Sequence, residues 1–63
     1  STAGSFVGQT VEYVDDAGTL AHQKVSSARL SDSGGIDLTL ADGSTLSYTA
    51  VRGFVSPDAA TSA

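Results

Sequence analysis

The chain has 63 residues and a formal charge of −4, with Lys24, Arg29 and Arg52 set against Glu12 and six aspartates, and it contains no cysteine. So acidic a balance argues against binding nucleic-acid phosphates or an anionic membrane surface, both of which call for a basic patch. Disulfides and thiolate metal sites are excluded, so one small apolar core has to hold the fold.

No apolar run approaches the roughly 18 residues needed to span a bilayer, and no charged-then-apolar signal segment opens the chain. Residues 1–5 are small and polar and read as a flexible N-terminal linker. Phe6-Val7-Gly8 reads as an apolar lead-in that crosses one end of a sheet. Thr10–Val14 is the first strand, with Val11 and Tyr13 on one face and Glu12 on the other. Asp15–Gly18 reads as a four-residue turn with Gly18 in the left-handed region, which sets Tyr13 opposite Leu20. Two aspartates beside a glycine invite a calcium reading. The alternating ligands and closing glutamate of an EF-hand loop are missing, so a solvated turn is the better account.

The second strand, roughly Thr19–Leu30, changes phase. Leu20, Ala28 and Leu30 share one parity and Val25 has the other, so a bulge or bend near Lys24–Ser27 is needed to bring Val25 into the core. A long bent strand of this kind lets a small sheet curl on itself. Ser31–Gly35 is a turn by composition.

Ile36–Val55 then gives a hairpin, a corner and a last strand. Paired residues on neighbouring strands share a face, so inward positions must meet inward positions. A two-residue Asp42-Gly43 turn would set Leu40 against Thr45. A three-residue loop, Ala41-Asp42-Gly43, pairs Leu40 with Ser44, Leu38 with Leu46 and Ile36 with Tyr48, with Gly43 at positive φ. Thr49-Ala50 makes a corner of 3₁₀ type and Val51–Val55 the last strand. Pro57 ends pairing, and residues 56–63 read as a flexible tail. The predicted domain, residues 6–55, is all-β: a five-stranded SH3-like or Tudor-like barrel with a short 3₁₀ corner before the last strand.

Chemistry is scarce. His22 is the sole histidine and no Gly-x-Ser-x-Gly elbow accompanies it, so a hydrolase has no visible machinery. The glycines form no phosphate-cradling loop. No cofactor or metal is expected, and the chain reads as non-enzymatic. Four residues are candidates for partner contact. Tyr13 and Tyr48 fall on inward parities that favour core packing with the hydroxyl at the rim, and an aromatic cage for a methylated side chain would need them with Phe6 or Phe54 at its edge. Arg52 and Phe54 share a parity on the last strand. If Val51 points inward they form an exposed pair, a favoured anchor for protein contact; if the corner slips the register, Phe54 is core.

The order of these residues resembles a known family. Ser5-Phe6-Val7-Gly8-Gln9-Thr10-Val11 is similar to the "SLIGKTV" segment of the bacterial flagellar hook-capping (hook assembly, or rod-modification) proteins. Val25-Ser26-Ser27-Ala28-Arg29-Leu30 resembles their "V-x-x-V-x-F" strand. Leu38–Gly43 and Leu46–Phe54 resemble their closing strands. The likeness spans about residues 5–55 and implies a Tudor-like domain without the inserted domain that often splits it. It further implies a structural role. Such a protein is exported from the cytoplasm through the flagellar secretion channel, caps the growing hook as an oligomer of its own copies, and guides hook-protein subunits into place. An SH3-like or Tudor-like adaptor binding a peptide or methylated side chain is the alternative.

Overall fold

The computed structural model describes residues 3–55. The tail expected over 56–63, Pro57 included, and the first two residues of the expected linker lie outside the described residues. Residues 3–5 form, with Phe6, a 3₁₀ turn that buries the Phe6 ring. Five strands follow: β1 (Thr10–Val14), β2 (Leu20–Leu30), β3 (Ile36–Leu40), β4 (Thr45–Ser47) and β5 (Gly53–Val55). A second 3₁₀ turn, Tyr48–Ala50, lies between β4 and β5. No α-helix occurs among the described residues.

All neighbours pair antiparallel in one sheet of order β4-β3-β2-β1-β5. No ladder joins β4 to β5, so the sheet is not closed. Its apolar face carries the core: Val11 and Tyr13 from β1, Val25 from β2, Leu38 and Leu40 from β3, and Phe6 across the end. Ala21, Ala28, Ile36, Leu46 and Val51 pack around them. Val11, Val25, Leu38 and Leu40 are almost wholly removed from water, worth about 2 kcal/mol each on transfer grounds.

The three hairpins share one loop geometry. In each, a three-residue loop ends on glycine: Asp16–Gly18, Asp32–Gly34 and Ala41–Gly43. The residue before the loop donates its N–H to the residue after it: Asp15 to Thr19 (2.9 Å), Ser31 to Gly35 (2.8 Å) and Leu40 to Ser44 (2.8 Å). Each loop glycine donates back to the first flanking carbonyl and sits at positive φ, 81° at Gly18, 93° at Gly34 and 89° at Gly43. A short polar side chain supports every loop. Asp15 Oδ1 accepts from the Ala17 and Thr19 amides, Ser31 Oγ from the Gly35 amide, and Asp42 Oδ1 from the Ser44 amide and hydroxyl.

The β3–β4 register follows the parity argument, with Leu38 opposite Leu46. The bulge is also where the phase slip placed it. Val25 pairs with Leu40 and Ser27 with Thr39, leaving Ser26 as the extra residue. The Ser26 hydroxyl donates to the Thr39 carbonyl at 3.0 Å, which ties the bulge to the partner strand.

Three expectations need correction. The first loop has three residues, not four, so Tyr13 faces Ala21 and Leu20 faces Val14 on the other side of the sheet. Asp15, accepting two amides with its carboxylate, stays in the ladder instead of joining the loop. Leu20 is therefore exposed, and Leu30, at the open end of β2, is exposed as well. Tyr48 does not pair with Ile36: Ser47 caps the 3₁₀ turn by accepting from the Thr49 amide and draws the chain out of the ladder first. The last strand starts at Gly53 rather than Val51, with the Arg52 amide already bonded to the Glu12 carbonyl at 2.8 Å.

Candidate functional site

Where β4 and β5 fail to meet, three aromatic rings line up. Phe6 is buried at their centre. Tyr48 lies against it with centroids 4.9 Å apart and planes inclined by 48°. Phe54 lies on it at 5.9 Å, nearly parallel at 16°. Tyr48 and Phe54 are each a little under half exposed, and so is Val7 beside Phe6. Ring pairs at these separations are attractive beyond the area they cover, so the shelf is held rigid while its outer faces remain wet.

Two turns build this shelf. The Ala3–Phe6 turn closes through Val7 N–H to the Gly4 carbonyl and Gln9 N–H to the Phe6 carbonyl, and Gly8 N–H anchors it to the Val25 carbonyl of β2 at 2.8 Å. The Tyr48–Ala50 turn closes through Val51 N–H to the Tyr48 carbonyl at 3.0 Å. Arg52 and Phe54 are both exposed and Val51 is partly buried. Phe54 nevertheless sits opposite buried Val11 and stacks on Phe6. It is half core and half surface, between the two alternatives open from sequence. The Arg52 guanidinium has no ion-pair or hydrogen-bond partner among the described residues.

Tyr13 lies apart from the shelf, buried among the core residues of β1. It lines a cavity of about 220 Å³ together with Leu40, Leu46, Asp15, Asp16 and Asp42. Burial, then the negative charges of Asp42 and Asp15, raise the Tyr13 phenol above its ordinary 10.0. The Ser44 hydroxyl and amide hold the Asp42 carboxyl below its ordinary 3.8. Tyr13 and Tyr48 are thus not brought together, and Phe6 is the ring that joins Tyr48 to Phe54.

His22 lies on the outer side of the sheet, its Nε2 3.0 Å from Glu12 Oε1 directly across the β1–β2 ladder. A second, shallower cleft of about 400 Å³ is lined by Arg29, Asp37, Thr39, Thr45 and Ser47 among others. Among the described residues no group of three His, Cys, Asp or Glu side chains is placed to hold a metal ion. Sequence reasoning missed the role of Phe6 as the hub of the shelf, although the Phe-Val-Gly lead-in marked its position. It also missed that Asp15 and Asp42, from two different loops, line one cavity. Comparison with protein-family models, curated proteins and solved structures finds no match.

Proposed function

We propose that this chain is a non-enzymatic structural module acting through protein contact, an SH3-like or Tudor-like domain of a bacterial flagellar hook cap. In this reading it is exported through the flagellar secretion channel and contacts hook protein and further copies of itself. The support from sequence is the ordered likeness over residues 5–55. The observation that carries the contact role is the half-exposed shelf of Tyr48, Phe6 and Phe54, with an exposed Arg52 two positions before Phe54 that has no ion pair or hydrogen bond from its side chain among the described residues. Aromatic and arginine side chains on a preorganised surface are the usual anchors of protein interfaces.

The test is binding of the purified chain to immobilised hook protein and to itself. The Arg52→Ala, Phe54→Ala double variant should keep its circular dichroism and lose about tenfold or more in affinity, as anchor residues do. Full binding by the folded double variant rejects the shelf as the contact. An adaptor gripping a single peptide side chain is the second reading, favoured by the cavity at Tyr13.

A further inference from the structure

Every hairpin loop ends on a glycine at positive φ, but only the third sets an aspartate immediately before it: Asp42-Gly43, the sole Asp-Gly pair in the sequence. Both residues are exposed. A Cβ built at Gly43 would meet nothing within 4 Å, so that side of the loop is open. Such a pair carries a reaction of its own. Bonding of the Gly43 amide nitrogen to Asp42 Cγ closes a five-membered ring, and glycine has no Cβ to shield that nitrogen.

The chemistry balances with water alone. The N–Cγ bond forms, the Cγ–OH bond breaks, and the hydroxyl leaves with the amide proton as water, which gives a succinimide. Water then reopens the ring. Addition at Cγ restores Asp42. Addition at the main-chain carbonyl leaves the backbone running through Cγ, as isoaspartate. One water departs, one returns, and nothing is oxidised or reduced.

The folded loop opposes this at both reacting groups. Gly43 N–H, which must be lost, donates to the Leu40 carbonyl at 2.9 Å. The Asp42 carboxyl, which must be protonated to lose a hydroxyl, is anchored through Oδ1 by the Ser44 hydroxyl at 2.6 Å and the Ser44 amide at 3.0 Å. Both bonds favour its ionised form. Leu40 N–H to the Ser44 carbonyl, at 2.8 Å, closes the loop around them.

We propose that Asp42-Gly43 is a self-modification site, which isomerises to isoaspartate when its loop opens and which the Ser44 hydroxyl holds shut in the folded chain. The product carries one extra main-chain carbon in the loop that sets Leu38 opposite Leu46. Loop length fixes hairpin register, so the converted chain has a weakened β3–β4 ladder and melts earlier than the parent.

The experiment ages the full chain at neutral pH, folded and in concentrated urea. Isoaspartate is read by electron-transfer fragmentation of the tryptic peptide 30–52, with Asp32 and Asp37 of that peptide as internal references. In urea, Asp42 should convert well ahead of both references. In the folded chain it should convert about tenfold more slowly or less, since several hydrogen bonds oppose it. Ser44→Ala keeps the amide and removes the hydroxyl, and it should speed folded conversion about fivefold, the worth of one hydrogen bond. Ser44→Thr restores the hydroxyl and the parent rate. Ser26→Ala loses a hydrogen bond outside this loop and should leave the rate unchanged, which separates local release from general loss of stability. The proposal is overturned if Asp42 converts no faster than Asp32 and Asp37 in urea, or if the folded chain converts as fast as the unfolded one. It is equally overturned if Ser44→Ala matches the parent, or if Ser26→Ala accelerates conversion as much as Ser44→Ala.

Discussion

The Phe6 ring lies nearly parallel to Phe54, centroids 5.9 Å apart, although the two residues stand at opposite ends of the described chain. This stack closes the apolar face of the sheet at the gap that no backbone ladder closes. Phe6→Ala removes the hub of three rings and should cost about 3 kcal/mol or more. Phe54→Ala removes only a half-exposed ring and should cost about 1 kcal/mol. Urea denaturation of the two variants checks the order. Equal losses mean that Phe6 is not the hub.

The shared loop geometry separates two adjacent glycines. A Cβ at Gly34 meets nothing within 4 Å, but the residue sits at φ 93°, so Gly34→Ala should cost about 1 kcal/mol through backbone strain alone. Gly35 is not at positive φ, and its Cβ would lie 3.4 Å from Ser31 Oγ, an ordinary contact. Gly35→Ala should therefore be close to neutral. Gly43→Val repeats the Gly34 experiment with a β-branched side chain and should cost at least as much. Thermal melts of the three variants suffice.

Ser26 is the extra residue of the bulge, and its hydroxyl is bonded to the opposite strand. Ser26→Ala should cost about 1 kcal/mol. Deleting Ser26 removes the extra residue and leaves Val25 opposite Leu40 and Ser27 opposite Thr39 in an unbroken ladder, with Val25 and Ala28 still on one face. The deletion should therefore keep a cooperative urea transition, whereas inserting a second residue beside Ser26, which does reverse the faces, should abolish it.

Asp42 ties pH to stability with a definite sign. Its carboxyl is held below the ordinary 3.8 by Ser44, so the ionised form favours the folded state. That contribution is present above pH 3.8 and is lost as pH falls through the lower, folded value. Comparing the chain with Asp42→Ala, the stability gap should be widest above about pH 5 and narrow below pH 3.8. A gap constant from pH 7 to 2 would contradict the role of Ser44.

Tyr13 has the opposite sign. Its phenol is raised above 10.0, so the folded state holds the neutral form, and the associated stability is complete below that pH and falls as pH rises past it. In a Tyr48→Phe background, absorbance titration of the single remaining tyrosine should have its midpoint above 10.0 and end in unfolding. A midpoint at or below that value would mean the ring is freely solvated.

Much of this was legible wherever a pattern had only one self-consistent solution. Leu38 was set to face Leu46 because a two-residue Asp42-Gly43 loop would have put Leu40 against Thr45. Val25 demanded a bulge because it was the one strongly apolar residue of β2 out of phase. The first loop was not decidable in that way, since Asp15-Asp16-Ala17-Gly18 admits a three- or a four-residue reading. The choice rests on the two amides that the Asp15 carboxylate accepts. Tyr48 had the right parity for the core, but the Ser47 cap acts first and turns it outward. The cavity at Tyr13 was illegible for a different reason: Asp15 and Asp42 come to line one cavity only through the tertiary placement of two separate hairpin loops, which no local spacing encodes.

Thr10, the first residue of β1, is paired with Val55, the last residue of β5. Tension applied through the two ends of this ladder therefore acts on the same rung. It peels the rungs one after another instead of shearing them together, because adjacent antiparallel strands loaded at one end carry the force on a single hydrogen-bonded pair at a time. Built into a longer load-bearing chain, the module would first have to release the Gly8 and Gln9 bonds to Val25, after which the β1–β5 ladder would unzip from Thr10–Val55.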